Sequence, residues 1–167
     1  KTVRANSRTA CPSEWIRIVF DICLGGWIYT TRDQKKTMRA QNRTISNFRN
    51  HSTTSISGFA SGINVISGPN GAGKTSILEA ISAAALTKSF TDAADNTLVR
   101  TGADNFTIDT EFISDLGVGL HCLVEYRPGP PVKKTIFVNN DRLRRSSDLI
   151  GQVPIVALTP DDKVITG

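Results

Sequence analysis

Gly68-Pro69-Asn70-Gly71-Ala72-Gly73-Lys74-Thr75 fits the pattern G-x-x-x-x-G-K-[ST], and its reading decides the fold. Each position has a physical task. The glycines let successive backbone N–H groups turn inward around phosphate oxygens with no Cβ in the way. Lys74 brings a point charge to the β- and γ-phosphates, and the Thr75 hydroxyl can ligate Mg2+. The flanks agree with the loop. Gly62-Ile63-Asn64-Val65-Ile66-Ser67 reads as a short buried strand, and Ile77, Leu78, Ile81 and Leu86 recur at helical spacing across 75–86. Strand, glycine loop and helix in that order predict an α/β fold whose helix N-terminus points its dipole at a bound phosphate.

Composition sets the outer bounds. The 167 residues suffice for one ordinary domain or part of a larger one. No run of 18 apolar residues occurs, so no membrane-spanning segment is predicted. The net charge of +5 is unevenly placed: residues 1–37 hold seven Lys/Arg and three Asp/Glu, and the remainder holds thirteen and twelve. The globular part is therefore nearly neutral, and bulk charge says little about partners. Cys11 and Cys23 lie in the first segment and only Cys122 beyond it, with no metal-ligand spacing. Such sparse cysteine suits a reducing cytoplasm, where the protein is expected to reside.

Residues 1–37 read as an atypical segment outside the domain. The chain begins at Lys1, and its one methionine is Met38, which is the expected start of the domain at 38–167. Ile16-Arg17-Ile18-Val19-Phe20-Asp21 looks like the apolar strand that carries a Mg2+-binding Asp. It precedes the loop instead of following it and is read as coincidence. Beyond Met38, residues 43–46 and 53–57 read as two short strands joined around Asn47-Phe48-Arg49-Asn50. Residues 88–104 read as loop with a short helical piece near 96–99. Residues 106–112 alternate as a half-buried strand should, 120–126 less cleanly. Arg127-Pro128-Gly129-Pro130-Pro131 is a turn, 135–138 a strand ended by Asn139-Asn140-Asp141, and 153–158 an apolar strand. Thr159-Pro160-Asp161-Asp162 then reads as a helix cap rather than a metal-binding strand end. The expected architecture is a mixed sheet around the loop's helix, with antiparallel strands on one flank.

The loop alone leaves GTPases, kinases and ATPases open. No N-K-x-D base-reading motif is present, and Asp148-Leu149-Ile150-Gly151 does not end an apolar strand. Arg142, Arg144 and Arg145 could mimic a kinase lid but sit in a hairpin-like setting, which leaves a small-substrate phosphotransferase as an alternative. The residues around the loop decide more. Asn47-Phe48-Arg49-Asn50-His51, the run 62–67, and the loop followed by Ser76-Ile77-Leu78-Glu79-Ala80-Ile81 resemble the head-domain start of SMC-like ATPases. Within that group the chain is most similar to the RecF family of bacterial DNA replication and repair proteins. Three further stretches carry the likeness: Lys88-Ser89-Phe90 leading through Asp95 to Leu98-Val99-Arg100-Thr101-Gly102; Val138-Asn139-Asn140-Asp141 with Leu143-Arg144-Arg145 and Leu149; and 156–162 running on to Gly167. It covers 38–167 and none of 1–37. One departure is Thr91, where that family usually has Arg.

The resemblance implies an ABC-type ATPase head, partial here, in which two heads sandwich ATP and the dimer clamps DNA. It implies ATP-dependent binding of single-stranded and gapped duplex DNA, roles in recombinational repair and the SOS response, and recombination mediator proteins as partners. The head of another SMC-type repair ATPase is the alternative within the class. Residues 70–75 with Ser76 would bind the triphosphate and Mg2+, as would Gly68 and Pro69 at the head of the loop. Arg49 and Asn50 would lie near the nucleotide, and an ordinary solvated turn is the competing reading. Lys133, Lys134, Arg142, Arg144 and Arg145 form either a DNA-facing surface or a solvated hairpin edge. Glu79 is expected in a salt bridge or at a solvated position, His51 and His121 packed or exposed, and Cys122 in the core. The water-activating acid, the second Mg2+ ligand and the signature segment are not seen and are expected C-terminal of Gly167. A DNA-stimulated ATPase is thus expected of the whole protein, and weak ATP binding or none of this chain alone.

Overall fold

The computed structural model describes residues 2–4, 38–60 and 63–155. Seven strands form one sheet in the order β1-β3-β2-β4-β5-β6-β7: β1 (Thr2–Arg4), β2 (Met38–Phe48), β3 (His51–Ser57), β4 (Phe106–Ser114), β5 (Gly119–Arg127), β6 (Lys133–Val138) and β7 (Asp141–Arg142). All neighbours are antiparallel except β1 and β3, which run parallel. The long helix α1 (Lys74–Leu86) packs across β2, β4 and β5, and a single turn, α2 (Asp95–Leu98), lies in the segment that follows it.

Alternation makes the sheet two-faced. Every second residue of β4 from Phe106 to Ser114 is buried, and the partners stand in register: Ile45 beside Ile108, Ile108 beside Val124, Val124 beside Ile136. This row of β-branched side chains crosses four strands and meets the helix. On α1, Ile77 to Ala85 are all buried, so the helix is embedded rather than amphipathic. Alanines at 80, 83, 84 and 85 keep its surface slim where it is enclosed. Phe106 links the row to the loop side, edge-on to Phe48 at 5.2 Å and stacked on Tyr126 at 5.3 Å.

Several boundaries differ from the sequence reading. The first predicted strand, 43–46, is the middle of an eleven-residue strand whose start at 38–42 pairs with β4 through a register shift between Ala40 and Asn42. The run 63–67 is not a strand. Ile63 is 63% exposed and Val65 41%, and no described strand lies beside them to supply the hydrogen bonds a strand requires. Residues 153–155 are likewise irregular. The hairpin ending β6 is as expected, with Asn139 and Asn140 at φ 50° and 72°, the left-handed pair of a tight two-residue turn. The readings for Gly62, for 156–167 with its cap at Thr159-Pro160, and for 5–37 lie outside the described residues.

Candidate nucleotide-binding site

The β2–β3 turn, the glycine loop and the segment after α2 meet at one end of the sheet. Asn47 and Arg49 adopt φ of 54° and 53°, which folds the chain tightly between Phe48 and His51. The turn then pairs sideways. The Arg49 N–H donates to the Leu98 carbonyl at 2.7 Å, and the Arg100 N–H donates to the Asn47 carbonyl at 2.8 Å. On its other side the turn grips the loop. The Asn50 Nδ2 donates to the Gly71 carbonyl at 2.7 Å, and His51 Nε2 stands 3.1 Å from the Gly73 carbonyl. A carbonyl only accepts, so His51 carries its proton on Nε2, and its Nδ1 meets the Thr54 hydroxyl at 2.8 Å.

Gly73 shows why the loop needs glycine. Its φ is 89°, and a Cβ there would stand 2.2 Å from His51 Nε2 and 2.6 Å from Asn50 Oδ1. The residue also caps α1: its carbonyl accepts the Ile77 N–H at 3.0 Å. Lys74 folds back over the loop, donating from Nζ to the carbonyls of Gly68 at 2.8 Å and Pro69 at 2.9 Å. Pro69 also accepts from the Ala72 N–H at 3.2 Å, which closes the loop on itself. Asn70, Gly71, Gly73, Lys74, Thr75 and Ser76 line a cavity of about 770 Å3 together with Arg49, Asn50, Thr97, Val99, Arg100 and Thr101. Three of these are cations and none is an acid.

Arg49 reaches this cavity, but its guanidinium is committed. Nε and Nη2 form a fork onto the Glu79 carboxylate at 2.8 and 2.7 Å, and Nη1 donates to the Thr97 carbonyl at 3.3 Å. Glu79 is buried and also accepts from the hydroxyls of Ser89 at 2.6 Å and Thr91 at 2.8 Å. Burial pushes its carboxyl up, but the bonds from Arg49, Ser89 and Thr91 and the charge of Arg49 outweigh it, leaving Glu79 below the usual carboxylate range. The bond to Glu79 in turn raises Arg49. Thr91, the departure noted in the sequence, is thus a hydroxyl ligand of this buried carboxylate.

Of the basic residues expected to face DNA, Lys133, Arg142, Arg144 and Arg145 are exposed. Lys134 differs from them in being part-buried and paired. Alternation turns it to the helix side of β6 with Ile136 and Val138, where Nζ donates to both Asp95 carboxylate oxygens at 2.8 Å and to the Thr87 carbonyl. His121 pairs with Asp109 at 2.8 Å. Cys122 is a buried thiol that burial pushes up to about 11, and no described cluster of His, Cys, Asp or Glu could hold a metal by itself. The sequence reading missed His51 as a loop contact and the wall at 97–101. Adjacency to Asn50 was the available signal for the first; the second comes to the site through backbone pairing distant in sequence, which no local pattern marks.

A glycine loop capping a buried helix, on an antiparallel flank that carries the facing wall, defines a P-loop ATPase head of the ABC/SMC type. The chain belongs to the AAA domain family, whose model matches residues 44–152. It is 39% identical over 128 residues to the DNA replication and repair protein RecF of Prosthecochloris aestuarii, covering 77% of this chain and 34% of that protein. To RecF of Chlorobaculum parvum it is 40% identical over 128 residues, with the same coverage of 77% and 34%. RecF of Leptospira interrogans is 35% identical over 131 residues, 78% of this chain and 35% of the relative. Among solved structures, the recombination mediator protein RecF-ATPrS of the RecFOR pathway aligns with a TM-score of 0.61 at 26% identity, over 67% of this chain and 29% of that one. An SMC ATPase, from work on ATP-driven dimerization and DNA-stimulated activation, aligns at 0.54 with 18% identity over 66% and 75%, a likeness of fold. The chain spans about a third of the length of the curated relatives it matches.

Proposed function

We propose that residues 38–167, to whose sheet Thr2–Arg4 adds a parallel edge strand, form the N-terminal part of the ATP-binding head of a RecF-like DNA replication and repair protein. The convergence of the glycine loop with Arg49 and Arg100 on one cavity, with no acid among its described lining residues, carries this reading, because such a site suits a triphosphate. The loop's N–H groups and the N-terminus of α1 would receive the phosphates. Lys74 would exchange its two carbonyl partners for phosphate oxygens. The Thr75 hydroxyl, in the first turn of α1, suits one position on Mg2+, whose other ligands would come from phosphate, water and a carboxylate outside the described residues. These groups bind and orient, which is the positioning part of phosphoryl transfer. On this reading the acid that activates water would come from outside the described residues, and this chain alone is expected to bind ATP weakly at most.

On this reading the full-length protein is a cytoplasmic ATPase that dimerises around ATP and then holds single-stranded or gapped duplex DNA during recombinational repair and the SOS response. Equilibrium ATP binding and DNA binding by the full-length protein test it. Wild type should bind DNA more tightly with ATP, and Lys74→Ala should lose ATP binding and that enhancement together. DNA affinity indifferent to ATP, or intact ATP binding by Lys74→Ala, would sink it.

A further inference from the structure

Three cations line the nucleotide cavity, and their commitments differ. Arg49 is forked onto Glu79 and holds the Thr97 carbonyl. Lys74 is folded onto Gly68 and Pro69. Arg100 is exposed, and its guanidinium makes no hydrogen bond or ion pair among the described residues. Its backbone, by contrast, is fixed at both ends. The Arg100 N–H is tied to the Asn47 carbonyl at 2.8 Å, and its carbonyl accepts the Ala103 N–H at 2.9 Å across a turn with Gly102 at φ 82°. The bridge between Phe48 and Val99 anchors the preceding residue to the turn that grips the loop.

A free guanidinium on a fixed stem, beside a phosphate loop with no acid among the described lining residues, has one class of ligand to meet. We infer that Arg100 is a further phosphate contact of this site, reaching the polyphosphate of the nucleotide from the wall opposite the glycine loop. Arg49 stays on Glu79 and acts as a positioning residue. The inference rests on the nucleotide-binding reading above and deepens it. The physical case is one of cost. Recruiting Arg49 would strand the buried Glu79 carboxylate without its fork, whereas Arg100 breaks no internal bond in turning to a phosphate. Arg also suits the role chemically, because its planar fork matches two phosphate oxygens at once.

The test is competition against a fluorescent ATP analogue on the full-length protein, with ATP and with inorganic tripolyphosphate as competitors. Arg100→Ala should weaken both about tenfold or more, as loss of a charged hydrogen bond predicts. Arg100→Lys should recover part of the loss, and the difference from wild type should shrink as salt is raised. The residue is exposed, so thermal melts of both variants should match wild type. If wild type binds ATP and Lys74→Ala does not, yet Arg100→Ala binds as wild type, the inference fails while the site stands. A loss seen with ATP but not with tripolyphosphate places Arg100 on the nucleoside and overturns the phosphate assignment. Failure of wild type to bind either competitor overturns both the site and the inference.

Discussion

Gly73 and Arg43 mark the two extremes of what a single residue does in this fold. Gly73 is fixed by crowding and by its left-handed φ, whereas Gly71, at φ 78°, has open space where a Cβ would stand. Gly73→Ala should therefore abolish ATP binding in the full-length protein, because the loop must move off Asn50 and His51. Gly71→Ala carries only the backbone penalty of about 1 kcal/mol and should retain binding. Equal loss in both, by titration, would show that crowding is not what sets Gly73 apart. Arg43 is fully enclosed on the core face of β2. Its Nε donates to the Thr110 hydroxyl at 3.2 Å, its guanidinium lies 5.7 Å from the Phe59 ring, and its two terminal nitrogens have no hydrogen-bond partner among the described residues. Burial alone pushes it down to about 9, the sign of a charge held where it is unwelcome. Arg43→Met should raise the denaturant midpoint, by about 1–4 kcal/mol in stability; a lower midpoint would mean that the guanidinium has a favourable role. Nothing in the sequence announces Arg43 as core, since a cation inside an alternating stretch reads as the solvent face. The loop's form, a glycine-rich turn that opens a helix, was legible because its signal is local. Thr97, Val99, Arg100 and Thr101 were not, because a backbone pairing distant in sequence brings them to the site.

Among the elements, α1 is the one whose placement links packing to the site. Its Glu79 fastens the β2–β3 turn through Arg49 and the following segment through Ser89 and Thr91. Ser82 adds to this, accepting the Phe90 N–H at 3.1 Å and donating to the Glu79 carbonyl at 2.9 Å. The pH dependence follows from the direction of the shift. Glu79 is depressed on folding, so its contribution is complete above the unfolded value near 4.3 and is lost as pH falls through the lower, folded value. Glu79→Gln should cost about 2 kcal/mol at neutral pH, and the gap to wild type should close in acid. Denaturant melts at pH 7 and pH 3 measure this, and a constant gap would rule out the ionised fork as its source. The alternating strands at 106–112 and 120–126 were readable because each residue's face is decided by its immediate neighbours. The run at 63–67 was misread because apolar residues such as Ile63, Val65 and Ile66 signal burial but not which chain segment provides it. Its exposed Ile63 and Val65 have no described neighbour in the sheet.

For the molecule as a whole, the basic residues near the β6–β7 hairpin divide into one that is paired and four that are exposed. Lys134 and Asp95 neutralise each other where β6 meets the segment after α1, with side chains 19% and 28% exposed. Lys133, Arg142, Arg144 and Arg145 remain in solvent. Lys134→Ala is accordingly expected to lower the melting temperature, with DNA affinity little changed. Replacing the four exposed residues by Gln should leave the melt alone and flatten the salt dependence of DNA binding, by up to about one unit of slope for each phosphate contact removed. Filter binding across a salt series checks both, and an unchanged slope would assign these cations to a solvated edge. The β2–β3 turn has a consequence for how this molecule can vary. It is held on one side by Leu98 and Arg100 and on the other by Gly71 and Gly73, so both walls of the cavity take their spacing from it. One inserted residue between Asn47 and His51 would shift those walls out of step with each other. An insertion at the exposed hairpin tip near Leu116 would disturb neither. Length variation should therefore be tolerated at the tip and refused at the turn, although both are short loops between antiparallel strands.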